Sequence, residues 1–357
     1  VIEAWDEVAR ECPEAASEGL RDRLHELLGG GAVRLESVSS LKPKKVLRLC
    51  FRGASGTQSL VVKRLACEIA DRNRRVCERW LPAVGLDGTG LHILATVGGV
   101  RPDFVWQVYE DFGDWAIRDL ATDRDRVAAA VTGIVELHAR FREHPMLAEC
   151  RMWGGDLGMQ FFCCNVRDAL RAVAALRPLP ATAEPERKEL CHRLTTRLEA
   201  LVASIGIREA ICAEHAGPET LLHGDLWRRN VFVVPMADRL QVRLIDWDHA
   251  AVGQVHYDLS TLLSRFQPVE RPAVLDLYRT SAARLGLHVP PDHAMAVLFE
   301  TAELARLANR LIWPALAVVD GSAADWGFDT LAEVERWFLA WRPIMPDIHL
   351  PRERRAS

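Results

Sequence analysis

Residues 221–234 read LLHGDLWRRNVFVV, which sets Asp225 five residues ahead of Asn230 and places an apolar run immediately after. That run, VFVVP, and the later QVRLID flank the polar turn Met236-Ala237-Asp238-Arg239, so the pattern predicts two short strands joined as a hairpin. Ile245-Asp246-Trp247-Asp248 leaves the second strand. An aspartate or an asparagine alone is ordinary turn and cap chemistry. Here an acid and an amide enter a hairpin whose far end delivers two further carboxylates, and that combination points to a site built from oxygen donors.

Around this hairpin the chain reads as helix. Segments 124–143, 165–176 and 183–204 carry helical apolar spacing, with PLPATAEPE (178–186) interrupting them, and helix resumes after the hairpin to about Pro346. The tail IHLPRERRAS (348–357) is expected to fray. The N-terminal third differs. After a helical opening of thirty residues closed by Gly29-Gly30-Gly31, strands are predicted at 33–40, 45–52, 58–65, from Leu91 and from Asp103, with one helix over 68–81 stopped by Pro82. The expected fold is therefore α+β and bilobal, in an order of elements that resembles the layout of a kinase. A small antiparallel β-sheet lobe with one main helix (1–108, with the helical extension 1–30) precedes a larger, mostly helical lobe (109–350).

Composition narrows the function. With 357 residues, 49% hydrophobic, the chain can bury two cores, and a net charge of -4 supplies no basic field for nucleic acid or an anionic membrane. Neither partner is expected. The segment 298–319 has Glu300, Glu303, Arg306 and Arg310 within it, so it reads as an amphipathic helix whose charged face is by default solvated, with the lining of an acceptor pocket as the alternative. Nine scattered cysteines lack metal-site spacing and read as reduced thiols; with acids throughout the first twenty residues, the expected compartment is the cytoplasm. Lysine occurs only at 42, 44, 45, 63 and 188, which makes Lys63, in the strand LVVKRL, conspicuous.

Phosphoryl transfer from a nucleotide to a hydroxyl needs a base to orient the acceptor, metal ions on the phosphate oxygens and a cation nearby. Asp225 suits the base. Asn230 and Asp246 offer hard oxygen ligands to Mg2+. Asp248, two residues on, shares a strand face with Asp246, with metal, substrate and hydrogen-bonding roles all open.

His223-Gly224-Asp225, Asn230 and Ile245-Asp246-Trp247 resemble the catalytic loop and metal-binding segment of the aminoglycoside phosphotransferase and choline kinase superfamily, relatives of the protein kinases. The resemblance implies Asp225 as catalytic base, Asn230 and Asp246 as magnesium ligands, and Lys63 as the lysine on the nucleotide phosphates. VYEDFGD from Val108 resembles the hinge beside the purine, which brings in Glu110 and Phe112. Asp258 in HYDLSTLL matches an aspartate supporting the catalytic loop, and His223 reads as packed beneath that loop. Trp227 and Trp153 are candidates for stacking on the acceptor.

Three departures from the family pattern stand out. No GxGxxG joins the first two strands; SSLKPKK lies there, so Ser39, Ser40 or a lysine is expected at the phosphates. Trp227 occupies a position often held by lysine. The helix glutamate that usually pairs with the strand lysine is replaced by Asn73, with Glu68 and Glu78 as substitutes. The expected function is transfer of the γ-phosphate of ATP or GTP to a hydroxyl of a small molecule, with an uncharged or weakly charged antibiotic as acceptor. The alternatives are a metabolite kinase (choline, ethanolamine, homoserine or a sugar) and a catalytically silent pseudokinase. A protein kinase is disfavoured because Asp258 follows Asp246 by only twelve residues, too few for a peptide-docking activation segment.

Overall fold

The computed structural model describes residues 2–54, 56–99, 101–176 and 184–345. The tail expected to fray lies outside the described residues, as do residues 178–183 of the predicted helix interruption. The chain divides into two compact units, residues 1–118 with 228–250, and residues 119–227 with 251–357.

The first unit is built on a six-stranded sheet: β1 (Ile2–Glu3), β2 (Val33–Lys42), β3 (Val46–Gly53), β4 (Gly56–Ala66), β5 (Ile93–Gly98) and β6 (Phe104–Glu110). The order is β1-β2-β3-β4-β6-β5, antiparallel throughout except for the short parallel β1-β2 edge. Strand alternation explains the core. Leu47, Leu49 and Phe51 of β3 alternate with more exposed neighbours and bury against Val62, Trp106 and Val108 and against Leu20 and Leu24 of the helix Glu18–Leu27. Each such side chain contributes about 1.5–3 kcal/mol by burial. Ser17 caps that helix by accepting a hydrogen bond from the Leu20 amide, and the helix leads out through Gly29 and Gly30, both at positive φ.

All five strands expected in this region form. The opening differs from expectation in beginning with β1, whose pairing partner lies thirty residues away and leaves no local signal. The predicted 68–81 helix runs as α-helix over Cys67–Arg75, widens into a π turn at Val76–Trp80 and finishes at Leu81–Ala83. Wide turns of this kind are set by packing, here by the buried Val76 and Trp80, and periodicity cannot anticipate them. The predicted hairpin forms as Val231–Pro235 paired with Leu240–Leu244. It belongs to this unit: the Leu244 amide donates to Thr89 O (2.8 Å), the Val233 amide to Trp115 O (3.0 Å) and the Ile117 amide to Val231 O (2.9 Å).

The second unit is helical. Met159–Ala174 lies along Asp292–Val319, and Pro185–Ala203 and Ala324–Ala340 complete a core of Phe162, Val166, Leu194, Leu311, Leu331 and Phe338. Ala305, Ala308 and Ala315 keep the central helix slim where its neighbours pack. A two-stranded antiparallel pair, Glu219–Leu222 with Ala251–Gln254, also forms here and was not predicted, because both segments are only four residues long. Among the described residues no helix is long and apolar enough to cross a membrane.

Candidate active site

In the first unit, register fixes the placement of Lys63. It pairs with Val46 on one side and Gln107 on the other, in the middle of the sheet. Its ammonium donates to Asp246 and to both oxygens of Asp248, at 2.8 and 2.9 Å for the latter. Burial works to deprotonate Lys63, but the two carboxylates outweigh it and raise its pKa above the ordinary lysine value.

Asp248 is itself held from a second direction. The buried Asn73 amide donates to its Oδ1 at 2.9 Å, and Arg72 donates to its backbone carbonyl. The partner sought for Lys63 among helix glutamates is thus supplied by Asp248, with Asn73 as the link to the helix. The clue in the sequence was the second carboxylate, two residues beyond Asp246.

Asp246 adopts the left-handed conformation (φ 67°, ψ 54°), which aspartate tolerates better than most residues. Trp247 explains how that turn is kept. Its ring is fully buried, and its indole N–H donates to Leu244 O at 2.9 Å. The Ile245 amide donates to Asn230 O at 2.9 Å, tying the two ends of the hairpin together beside Asp246.

A cavity of about 140 Å³ opens next to this network. Leu41, Val46, Val61, Phe112 and Phe232 give it apolar walls, while Lys63 and Asp246 are among its polar residues; Glu110 also lines it. The Oε1 atom of Glu110 is buried without a hydrogen-bond partner among the described residues, which suits a wall meant to receive a donor from a ligand. Ser40 stands exposed on β2, outside this lining. At one edge Arg48 is bound by Asp111, which also accepts from Ser59 (2.6 Å) and the Gly113 amide (2.9 Å).

The hairpin ends carry two hard oxygen donors, the Asp246 carboxylate and the Asn230 amide. The Asp246 side chain remains 35% exposed, and among the described residues no group of three or more His, Cys, Asp or Glu side chains forms a metal site. A carboxylate and an amide oxygen completed by water match magnesium chemistry and not that of zinc.

In the second unit the segment His223-Gly224-Asp225 is fixed by one buried carboxylate. Asp258, at the start of the helix His256–Leu263, accepts from the backbone amides of His223 (2.7 Å) and Gly224 (2.9 Å). Burial works to raise the Asp258 carboxyl, yet His138 and His223 hold it below its usual value. The buried His138 in turn meets Tyr278 Oη at 3.0 Å. His223 is also buried, and its Nδ1 accepts from the Asp225 amide at 3.3 Å. Gly224 sits at φ 80°, a conformation in which a Cβ would be strained.

Asp225 lines a cavity of about 410 Å³ in this unit, together with Trp227. The Trp227 ring lies 3.5 Å from the Arg265 guanidinium carbon. Trp153, on the helix Leu147–Gly154, is 45% exposed and does not line this cavity. For the charged residues of 298–310 the sequence favours a solvated face over a pocket lining, and three of them are found at the cavity. Glu303, Arg306 and Arg310 all line the cavity, since a spacing of three, then four, brings them to one side of the helix.

Comparison with known proteins agrees with this architecture. The model of the phosphotransferase enzyme family (APH) matches residues 52–290, about two-thirds of the chain. Among solved structures, the GDP and kanamycin complex of APH(2")-IIia is 14% identical, with 86% of this chain and 94% of that one covered at a TM-score of 0.54. An ethanolamine kinase of Plasmodium vivax is 12% identical (84% and 82% covered, TM-score 0.52), and a macrolide 2'-phosphotransferase of Brachybacterium faecium 15% identical (88% and 97% covered, TM-score 0.50). These likenesses concern the fold: an N-terminal antiparallel sheet followed by a mostly helical part. No curated protein sequence matches the chain. The family match together with the shared fold identifies the chain as a member of the phosphotransferase enzyme family, a nucleotide-dependent small-molecule kinase.

Proposed function

We propose that the protein transfers the γ-phosphoryl group of ATP or GTP to a hydroxyl of a small molecule, an antibiotic in the first reading. Solved structures of similar fold include a kanamycin complex and a macrolide phosphotransferase. A metabolite as acceptor is the second reading, favoured by the likeness to an ethanolamine kinase. The observation carrying the proposal is the ion pair of Lys63 with Asp246, residues 183 apart in sequence, at a cavity whose walls include Leu41, Val46, Val61, Phe112 and Phe232. A nucleotide needs that combination: an apolar slot for the base and a cation for the phosphates.

In this reading residues 1–108 form the nucleotide-binding lobe, to which the hairpin contributes Asn230 and Asp246. Residues 109–350 carry the catalytic loop and the acceptor pocket. Glu110 and Phe112 border the base, and Lys63 meets the phosphates. Asn230 and Asp246 would hold a magnesium ion, which when bound neutralises charge on the phosphate oxygens. Asp225 accepts the hydrogen bond of the acceptor hydroxyl, orients its oxygen and takes its proton as the new bond forms. His223 and Asp258 keep the loop in shape. A cytoplasmic setting, where nucleoside triphosphates are at hand and thiols are kept reduced, belongs to this reading.

Asp225→Asn tests the base assignment. Acceptor phosphorylation is expected to fall about 10²- to 10⁴-fold, while stabilisation of the protein by nucleotide, read as a thermal shift, is retained. Turnover at the wild-type rate would remove Asp225 from the role. Asp246→Ala is expected to abolish the magnesium dependence of nucleotide binding as well, and an unchanged dependence in calorimetric titration would count against Asp246 as a metal ligand.

A further inference from the structure

The cavity beside Asp225 has an unusual charge distribution for a pocket that would take a polyamine. Three arginines and two carboxylates line it: Arg265, Arg306 and Arg310 against Asp225 and Glu303. Two of these charges are already matched, since Arg306 donates to Glu303, to Ser260 Oγ and to the Tyr257 carbonyl. Arg265 and Arg310 remain. Both are exposed, and neither forms an ion pair or side-chain hydrogen bond among the described residues. Instead each guanidinium lies over an indole, Arg265 at 3.5 Å from the Trp227 ring centre and Arg310 at 4.9 Å from that of Trp337.

A guanidinium over an aromatic face is held in place by the ring while its N–H groups stay available, the arrangement suited to gripping a planar oxyanion through two parallel hydrogen bonds. An ammonium-rich acceptor would find no such welcome. Glu303 is engaged with Arg306, Asp225 is the proposed base, and the guanidiniums of Arg265 and Arg310 would repel it.

We propose that the acceptor is a hydroxylated small molecule carrying an oxyanionic group, a carboxylate or a phosphate ester, which Arg265 and Arg310 bind while Trp227 and Trp337 pack on its apolar face. The inference rests on the phosphotransferase reading above and specifies its substrate class. The acceptor hydroxyl oxygen forms a bond to the γ-phosphorus, the bond from that phosphorus to the β,γ-bridging oxygen breaks, the hydroxyl proton passes to Asp225, and the nucleoside diphosphate departs with the bridging electrons.

The test measures acceptor-dependent release of nucleoside diphosphate, with ATP and with GTP, against matched compounds: glucose, glucuronate, gluconate, glucose 6-phosphate and kanamycin. At least one anionic compound is expected to exceed glucose and kanamycin in kcat/KM by about 10-fold or more, the worth of a charge-assisted hydrogen bond. The carboxylate and phosphate arms separate the two sources of the anion. Arg310→Glu is then expected to raise the KM for that compound by a similar factor and to narrow its advantage over kanamycin. Preference for glucose or kanamycin, or no response to any anionic compound by a protein that nucleotide still stabilises, would overturn the proposal. Absence of nucleotide-induced stabilisation would instead remove the phosphotransferase reading beneath it, a separately observed failure. An Arg310→Glu variant with unchanged KM would overturn the role of Arg310 directly, and the exposed position makes loss of folding an unneeded explanation.

Discussion

Lys63 keeps its charge in a mostly buried position because two carboxylates face it, and Asp248 is the one anchored from both sides. Raising the Lys63 pKa means that its contribution to stability is complete below the ordinary lysine range and is lost only as pH rises through the folded value, so the pair persists throughout neutral conditions. The side chains are partly screened, at 16% and 23% exposure, which places their coupling below that of a fully buried pair. A double-mutant cycle of Lys63→Met and Asp248→Ala, followed by thermal unfolding at pH 7, is expected to give a coupling of about 1–3 kcal/mol. Additive effects would mean that Asp248 supports Asn73 and Arg72 without acting on the lysine. Sequence singled out Lys63 by its rarity and its strand, but its partner lies 185 positions away, and no local pattern encodes a contact of that range.

At the scale of elements, the short segment His223–Asp225 owes its shape to a helix that follows it by some thirty residues. One Asp258 carboxylate satisfies two successive backbone amides, which no neighbouring residue in the loop does. Asp258→Asn replaces one accepting oxygen with a donor facing a backbone N–H. Stability is expected to fall by about 1–3 kcal/mol, the cost of leaving a buried donor unpaired, and turnover to fall with it because the loop bearing Asp225 loosens. Chemical denaturation and steady-state rates on the same preparation check both; an Asn variant equal to wild type in each would show that the loop holds itself. The HGD and IDW segments were legible because each is contiguous and lies at a strand end. The pairing of Glu219–Leu222 with Ala251–Gln254 was not, since four-residue strands carry too little alternation to be distinguished from loop.

For the molecule as a whole, acid sensitivity should be set in part by His256. Burial, seconded by Arg306, pushes its imidazole down to about 3, far below the unfolded value, so the unfolded chain binds this proton first. The associated stability is present above about pH 6.5 and is lost as pH falls toward 3. Between pH 6.5 and 5 the loss from this residue is expected to reach about 2 kcal/mol. His256→Phe should flatten the decline of Tm over that interval, and a profile parallel to wild type would assign the decline to other groups. The sequence by itself determined the α+β class, the five long strands of the N-terminal sheet, the hairpin and the place of the HGD and IDW segments at strand ends, because side-chain periodicity and contiguous motifs are local properties written within a few residues. Tertiary structure alone decided that the hairpin joins the same compact unit as the N-terminal sheet, that Asp248 partners Lys63, and that Glu303, Arg306 and Arg310 line a cavity beside Asp225. Those outcomes depend on which surfaces meet when distant segments bury their apolar faces, and charge on a helix face reads the same in sequence whether water or a binding cavity lies against it.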